Sequence, residues 1–364
     1  MPGLLLAGAA AARPPEERLA RGVSVTGWFR HPPGREPGRV EAYLSDAAIA
    51  GLRAAGFTFV RLAVDVAELA PEGRLSGAWA GLLERAVARL GAAGLAVVVV
   101  PFAPGWRLEE RAADRAALLR LWRGLAPLLA RHGADGVFPE ILNEPVFAED
   151  PPAWARLQAE ALGVIRAAWP EATVIVTGAR WGGVDGLLAL PPPGDGNVVA
   201  SVHFYEPAVL TALAAWEAGL DRAALARLAF PAGGPGCVPD AATGRTRAVA
   251  AFYCAGGWDA ARLAARLAAA AAWGRRAGVP VLLGEFGAAR ALNGPARLAW
   301  IAAARAAAER VGMGWALWGY DDAMGFALPR PPPARPVLDP DLLRALGLRG
   351  APRKRPAASG SIRG

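Results

Sequence analysis

Short apolar runs rich in valine and leucine alternate along this chain with longer stretches in which alanine, leucine and arginine recur at helical spacing. The runs are RGVSVTGW (21–28), FTFVRLAVD (57–65), LAVVVVPFA (95–103), VFPEILNEP (137–145), TVIVTGA (173–179), VVASVHFYEP (198–207), PVLLGEFG (280–287) and MGWALWGYDD (313–322). Near-continuous hydrophobicity, in place of strict alternation, predicts parallel strands covered on both faces. Repeated strand–helix units of this number predict an α/β fold, a single (β/α)8 TIM barrel. A doubly wound open sheet also alternates strands with helices. It normally carries a glycine-rich phosphate turn after its first strand, and this chain has none.

Helix punctuation fits the same frame. Ser45-Asp46 opens a helix that Gly56 closes, and further helices are predicted over 78–90, 109–132, 152–169, 258–277 and 294–311, with a short one at 183–190. The stretch 208–257 is much longer than an ordinary connection and is expected to be an irregular, functional loop. The predicted organisation is an N-terminal segment (1–20, a candidate remnant export signal), one catalytic barrel domain (21–348) and a basic disordered tail (349–364).

Composition narrows the chemistry. With 54% hydrophobic and 20% charged residues in 364, the chain has ample core and is not a disordered polymer. No apolar run reaches the ~18 residues a membrane span needs. Half of the formal charge of +8 comes from Arg353, Lys354, Arg355 and Arg363 in the tail, so nucleic-acid binding is not required to explain it. The only lysine is Lys354, which removes Schiff-base chemistry from the barrel. Three scattered histidines (His31, His132, His203) do not suit a histidine metal site, and no P-loop, G-x-G-x-x-G or G-x-S-x-G occurs. No cofactor and no metal are expected. Carboxylates remain as the main chemical groups. Cys237 and Cys254 are either two free thiols or a bridge worth roughly 3 kcal/mol, which implies an oxidising compartment. The leading MPGLLLAGAAAARPP lacks a basic n-region, so a clipped export signal and a misassigned start both stay open. The expected location is secreted or periplasmic, with a cytoplasmic one as the alternative.

In a (β/α)8 barrel, catalysis sits at the carboxyl ends of the strands. There the second run supplies Arg61, the fourth Asn143 and Glu144, the sixth His203 and Tyr205, the seventh Glu285 and the eighth Trp318. Glu144 and Glu285 come from opposite sides of the ring, and two opposed carboxylates are what acetal cleavage needs. Arg61 and Tyr205 are placed to support one of them, His203 the other. Trp28, Trp106 and Trp181 near strand ends are candidate sugar platforms, because a pyranose face packs on an indole.

The segments ILNEP (141–145), RGVSVTGW, GFTFVRL (56–62), SVHFYEP (201–207), PVLLGEFG and GWALWGYDD (314–322) together resemble glycoside hydrolase family 5, over roughly residues 20–348. The resemblance implies a retaining β-glycosidase with Glu144 as acid/base and Glu285 as nucleophile. It further implies Asn143 on the sugar 2-hydroxyl, Arg61 and Tyr205 supporting the nucleophile, His203 on the acid/base side and Trp318 stacking on the same sugar. The chain departs from the family at Phe102, where a histidine commonly contacts a sugar hydroxyl. The expected activity is an endo-β-1,4-glucanase of cellulase type in polysaccharide catabolism. Its partner would be a β-linked polysaccharide or oligosaccharide, with no nucleic acid and no membrane span, and the chain would act as a monomer. The alternatives are a β-1,3-glucanase, a β-mannanase, an exopolysaccharide-trimming enzyme, or a non-catalytic carbohydrate-binding barrel.

Overall fold

The computed structural model describes residues 14–32, 34–325, 327–328 and 337–349. Eight strands build the barrel: β1 (Arg21–Phe29), β2 (Phe59–Asp65), β3 (Ala96–Phe102), β4 (Val137–Pro139), β5 (Val174–Thr177), β6 (Val198–Phe204), β7 (Val281–Phe286) and β8 (Trp315–Leu317). They run parallel in the order β4-β3-β2-β1-β8-β7-β6-β5. The remaining gap, between β4 and β5, is crossed by a single parallel bridge from Glu140 to Ile175. There the Ile141 N–H donates to the Ile175 carbonyl at 3.1 Å. The ring therefore closes through backbone hydrogen bonds and leaves no long edge exposed.

The outer layer consists of α1 (Asp46–Ala55), α2 (Gly77–Ala92), α3 (Ala112–Ala130), α4 (Pro151–Ala168), α5 (Val184–Leu188), α6 (Ala260–Ala277), α7 (Gly294–Arg310) and α8 (Pro340–Ala345). Their limits follow local chemistry. The Ser45 hydroxyl accepts from the Ala48 N–H to cap α1, and Gly56 ends it at a φ of 109° that a side chain would resist. Asp150, Asp259, Asn293 and Asp339 cap α4, α6, α7 and α8 in the same way.

Strand alternation sorts the side chains. One face of each strand packs outward against the helices in the main core. The inner face begins with an apolar plug that includes Phe59, Val98, Phe138, Ile175, Val199 and Leu282. Above it the interior turns polar, with Ser24, Arg61, Glu140 and Ser201 all buried. Several tryptophans tie helices to the mouth. The indole N–H groups of Trp122, Trp154 and Trp300 donate to the carbonyls of Ile141, Thr177 and Glu206, at 3.0, 2.8 and 3.0 Å.

Two expectations need correction. The fourth run was read as strand through residue 145, but β4 ends at Pro139, and Asn143 and Glu144 stand on irregular backbone beyond it. The interval 208–257 is not an irregular loop. It contains the helices Ala208–Thr211, Arg222–Leu225 and Gly244–Ala255 and is closed by a Cys237–Cys254 disulfide. The Asn293 side-chain amide fastens it to the barrel by donating to the carbonyls of Ala226 and Leu228. Most of the N-terminal segment and all but Arg349 of the expected tail lie outside the described residues. Among the described residues no helix is long and apolar enough to cross a membrane.

Candidate active site

Arg61 organises the mouth from below. Phe59, Arg61 and Ala63 alternate onto the inner face of β2, so a fully buried guanidinium sits on the barrel axis. Its Nε and Nη2 donate to the two oxygens of Glu140 at 2.7 and 2.8 Å. Nη2 also donates to Asn143 Oδ1 at 3.0 Å, and Nη1 donates to Glu285 Oε1. Burial works against a charge here, yet the flanking carboxylates of Glu140 and Glu285 outweigh it and hold the Arg61 pKa above its ordinary value. Because arginine cannot accept, its bond to Oδ1 fixes the Asn143 amide with its NH2 turned away from Arg61.

Glu285, buried near the end of β7, accepts a second hydrogen bond from the Tyr205 hydroxyl at 2.8 Å. Burial and the nearby charges of Glu285 and Glu144 push the Tyr205 pKa well up, so the phenol stays a donor. Two donors thus face the two oxygens of Glu285, an arrangement that solvates an ionised carboxylate. Both glycines of the GEFG segment are required by close packing. A Cβ on Gly284 would fall 2.0 Å from the Ser201 hydroxyl, and one on Gly287 would fall 2.4 Å from the Trp318 carbonyl.

Glu144 stands across the opening, with its side chain 32% exposed. His203 Nδ1 lies 3.0 Å from Glu144 Oε1 and 3.5 Å from Glu285 Oε2. The buried Nε2 finds no partner among the described residues, so a single ring proton belongs on Nδ1, shared toward the carboxylates. Burial disfavours the imidazolium, but Glu285 and Glu144 together raise the His203 pKa. One donor atom from each of Glu144, His203 and Glu285 lies within 4.8 Å of the others. That spacing is compatible with a metal ion as well as with proton transfer. Glu285 already accepts from Arg61 and Tyr205, and the adjacent guanidinium repels a second cation, so proton transfer fits the trio better.

The backbone carrying Glu144 is unusual. Glu144, Phe147, Arg180 and Trp181 all adopt left-handed φ angles, of 44°, 41°, 56° and 58°. Each such residue costs on the order of 1–3 kcal/mol. The two loops hold each other in place: Arg180 N–H donates to the Val146 carbonyl at 2.6 Å, and Trp181 N–H to that of Pro145 at 3.0 Å.

An open cleft crosses the mouth over these groups. Its larger lobe, about 900 Å³, reaches His203, Tyr205, Glu285, Trp318 and Trp216. A smaller one of about 240 Å³ reaches Trp106 and Leu108. Arg30, Phe102, Asn143, Glu144 and Trp181 line both. The expected residues Arg61, Asn143, Glu144, His203, Tyr205, Glu285 and Trp318 therefore converge, and Trp106 and Trp181 line the cleft walls. Trp28 does not. It is 1% exposed, and its indole N–H donates to the Val40 carbonyl at 2.7 Å, so it is a core residue and no sugar platform.

Sequence reasoning missed three residues. Glu140 shares the inner face with Phe138, and this two-residue alternation was the available signal for a partner to Arg61. Arg30 follows β1 directly and lines both lobes of the cleft. Trp216, 66% exposed at the rim, lies inside the 208–257 interval, where no pattern marked it.

Comparison with known proteins gives a consistent result. The family model described as cellulase (glycosyl hydrolase family 5) matches residues 23–323. Among solved structures, Thermotoga maritima Cel5A in complex with cellobiose is 24% identical with a TM-score of 0.74, covering 92% of this chain and 100% of that one. An endoglucanase is 19% identical with a TM-score of 0.72, over 91% and 97%. The clostridial cellulose synthase subunit Z from Clostridioides difficile is 21% identical with a TM-score of 0.72, over 90% and 99%. At these identities the likeness carries the fold. A search of curated protein sequences finds no match to this chain.

Proposed function

Since the chain belongs to the cellulase family, glycosyl hydrolase family 5, and is a glycoside hydrolase, we propose that it is a retaining endo-β-1,4-glucanase. The observation that carries this reading is the approach of the Glu144 and Glu285 oxygens to within 4.8 Å across the barrel mouth. Retaining glycosidases hold their carboxyl groups about 5–5.5 Å apart, whereas inverting ones need roughly 6.5–9.5 Å to admit a water.

Glu285, held by Arg61 and Tyr205, attacks the anomeric carbon. The glycosidic C–O bond breaks as the Glu144 carboxylic acid gives its proton to the departing oxygen. Water then attacks the same carbon, loses a proton to the Glu144 carboxylate and releases Glu285 from the ester. The Asn143 NH2, turned off Arg61 and without an acceptor among the described residues, donates to the sugar 2-hydroxyl, and Trp318 offers the ring on which that sugar rests. The cleft runs past the carboxylates on both sides, which supports attack within a chain. A solved neighbour, Thermotoga maritima Cel5A, is known in complex with mannotriose as well as cellobiose, so a β-1,4-mannan is the second substrate to test. The Cys237–Cys254 bridge supports a secreted or periplasmic setting.

The test is turnover of cellulose derivatives, mixed-linkage glucan, laminarin, mannan and xylan by the purified protein, with the first-formed anomer read by NMR. The expected result is β-anomer product from β-1,4-glucan. Glu144→Gln should lower kcat by roughly 10²–10⁴-fold, with Glu285→Gln at least as damaging. First-formed α-anomer, or full activity in Glu285→Gln, would overturn the mechanism.

A further inference from the structure

The barrel mouth holds two guanidinium groups in different situations. Arg61 spends its donors on Glu140, Glu285 and Asn143. The Arg30 guanidinium is half-buried, yet no oxygen among the described residues accepts from it. Its guanidinium lies 4.1 Å above the Phe102 ring and 5.5 Å from the Trp318 ring. Stacking on aromatic faces orients the plane of the cation and leaves its N–H edges free. Those edges meet the cleft at its waist, where Arg30 lines both lobes beside Glu144.

A cation drawn partly out of water without an acceptor is costly. Glu144 and Glu285 attract it through space but take no hydrogen bond from it. Arg180, exposed on the wall of the larger lobe, likewise has no side-chain partner among the described residues. The other carboxylate in that lobe, Glu206, is already held by both oxygens on Arg266 at 2.7 Å. Setting the catalytic pair aside, the larger lobe carries spare positive charge in the form of planar donor forks, while Glu109 lines the smaller one. A neutral hydroxyl can be served by any single donor. A fork fits a planar, two-oxygen acceptor.

We propose that Arg30 is a specificity-determining residue that receives a sugar carboxylate, so that the preferred substrate is a β-linked chain containing hexuronate units. This deepens, and rests on, the glycosidase reading of the same cleft.

The experiment compares β-1,4-linked oligosaccharides of equal length, one neutral and one carrying a residue oxidised at C6 to the uronate. It uses wild type, Arg30→Gln and Arg30→Lys, with thermal melting to verify folding. Wild type should favour the uronate by roughly 10- to 100-fold in kcat/KM, the range expected of charge-assisted hydrogen bonds. Arg30→Gln should bring the ratio near one, and Arg30→Lys should fall between. Added salt should narrow the wild-type ratio. A wild-type ratio near one, or a ratio unchanged in Arg30→Gln, overturns the proposal while neutral turnover leaves the hydrolase reading intact. Should neither oligosaccharide be cleaved, calorimetric binding decides. Tighter uronate binding that vanishes in Arg30→Gln supports the role of Arg30 and sinks the endo-β-1,4-glucanase reading, and equal binding of both oligosaccharides sinks the two together.

Discussion

Arg61, Glu140, Glu285 and His203 form one electrostatic unit in which every charge depends on a neighbour. Removing one member of a buried pair leaves the other uncompensated, at about 3–5 kcal/mol, so these positions tolerate little change. His203 offers a readable consequence. Its pKa is raised in the folded chain, burial opposing the charge and the carboxylates of Glu285 and Glu144 prevailing. A raised folded pKa stabilises fully below the ordinary value of about 6.5 and loses that contribution as pH climbs through the folded value. The melting-temperature advantage of wild type over His203→Asn should therefore shrink as pH rises from about 6, and an advantage that grows with pH would contradict the assignment. Most of this unit was legible because Glu285 and His203 sit near strand ends, and Arg61 within a strand, in recognisable segments. Glu140 and Arg30 were not. The first looked like part of an apolar strand and the second like an ordinary charge after one, and only three-dimensional neighbours distinguish them.

Among the elements, the barrel strands were legible because burial on both faces imposes a composition that survives in sequence. Helices α1 to α7 were legible from their apolar spacing and punctuation, whereas the short α8 was not marked. The interval 208–257 was not, since its helix Gly244–Ala255 opens on Gly-Arg and keeps Phe252 82% exposed, which blurs any apolar stripe. What holds this arm is a cross-link and docking to the loop after β7. The bridge closes a separation of 17 residues, for which the chain-entropy account gives roughly 3 kcal/mol. Reduction, or a Cys237→Ser/Cys254→Ser double variant, should open the arm to limited proteolysis well before the barrel is cut. Simultaneous loss of arm and barrel, or no change in cleavage, would show that the arm is not an independently secured element.

At the scale of the molecule, ring closure brings Glu144 and Glu285 together over an open groove, although 141 positions of sequence separate them. A groove that, among the described residues, runs past the carboxylates on either side predicts internal cleavage. The viscosity of a soluble β-1,4-glucan should fall far ahead of the release of reducing ends, and short products released from the outset at steady viscosity would point to an end-acting enzyme. The sequence by itself determined the alternation of strands and helices, the parallel sheet and the residues offered at its carboxyl end. Burial and capping leave local marks, and those marks add up along a chain. Only the tertiary structure decided which of those residues meet. It buried Trp28 and exposed Trp216, paired Arg61 with Glu140, and left the Arg30 guanidinium stacked and without an acceptor among the described residues. Contacts between distant segments depend on barrel register and loop course, which hydrogen-bond geometry and side-chain packing set collectively and no local pattern encodes.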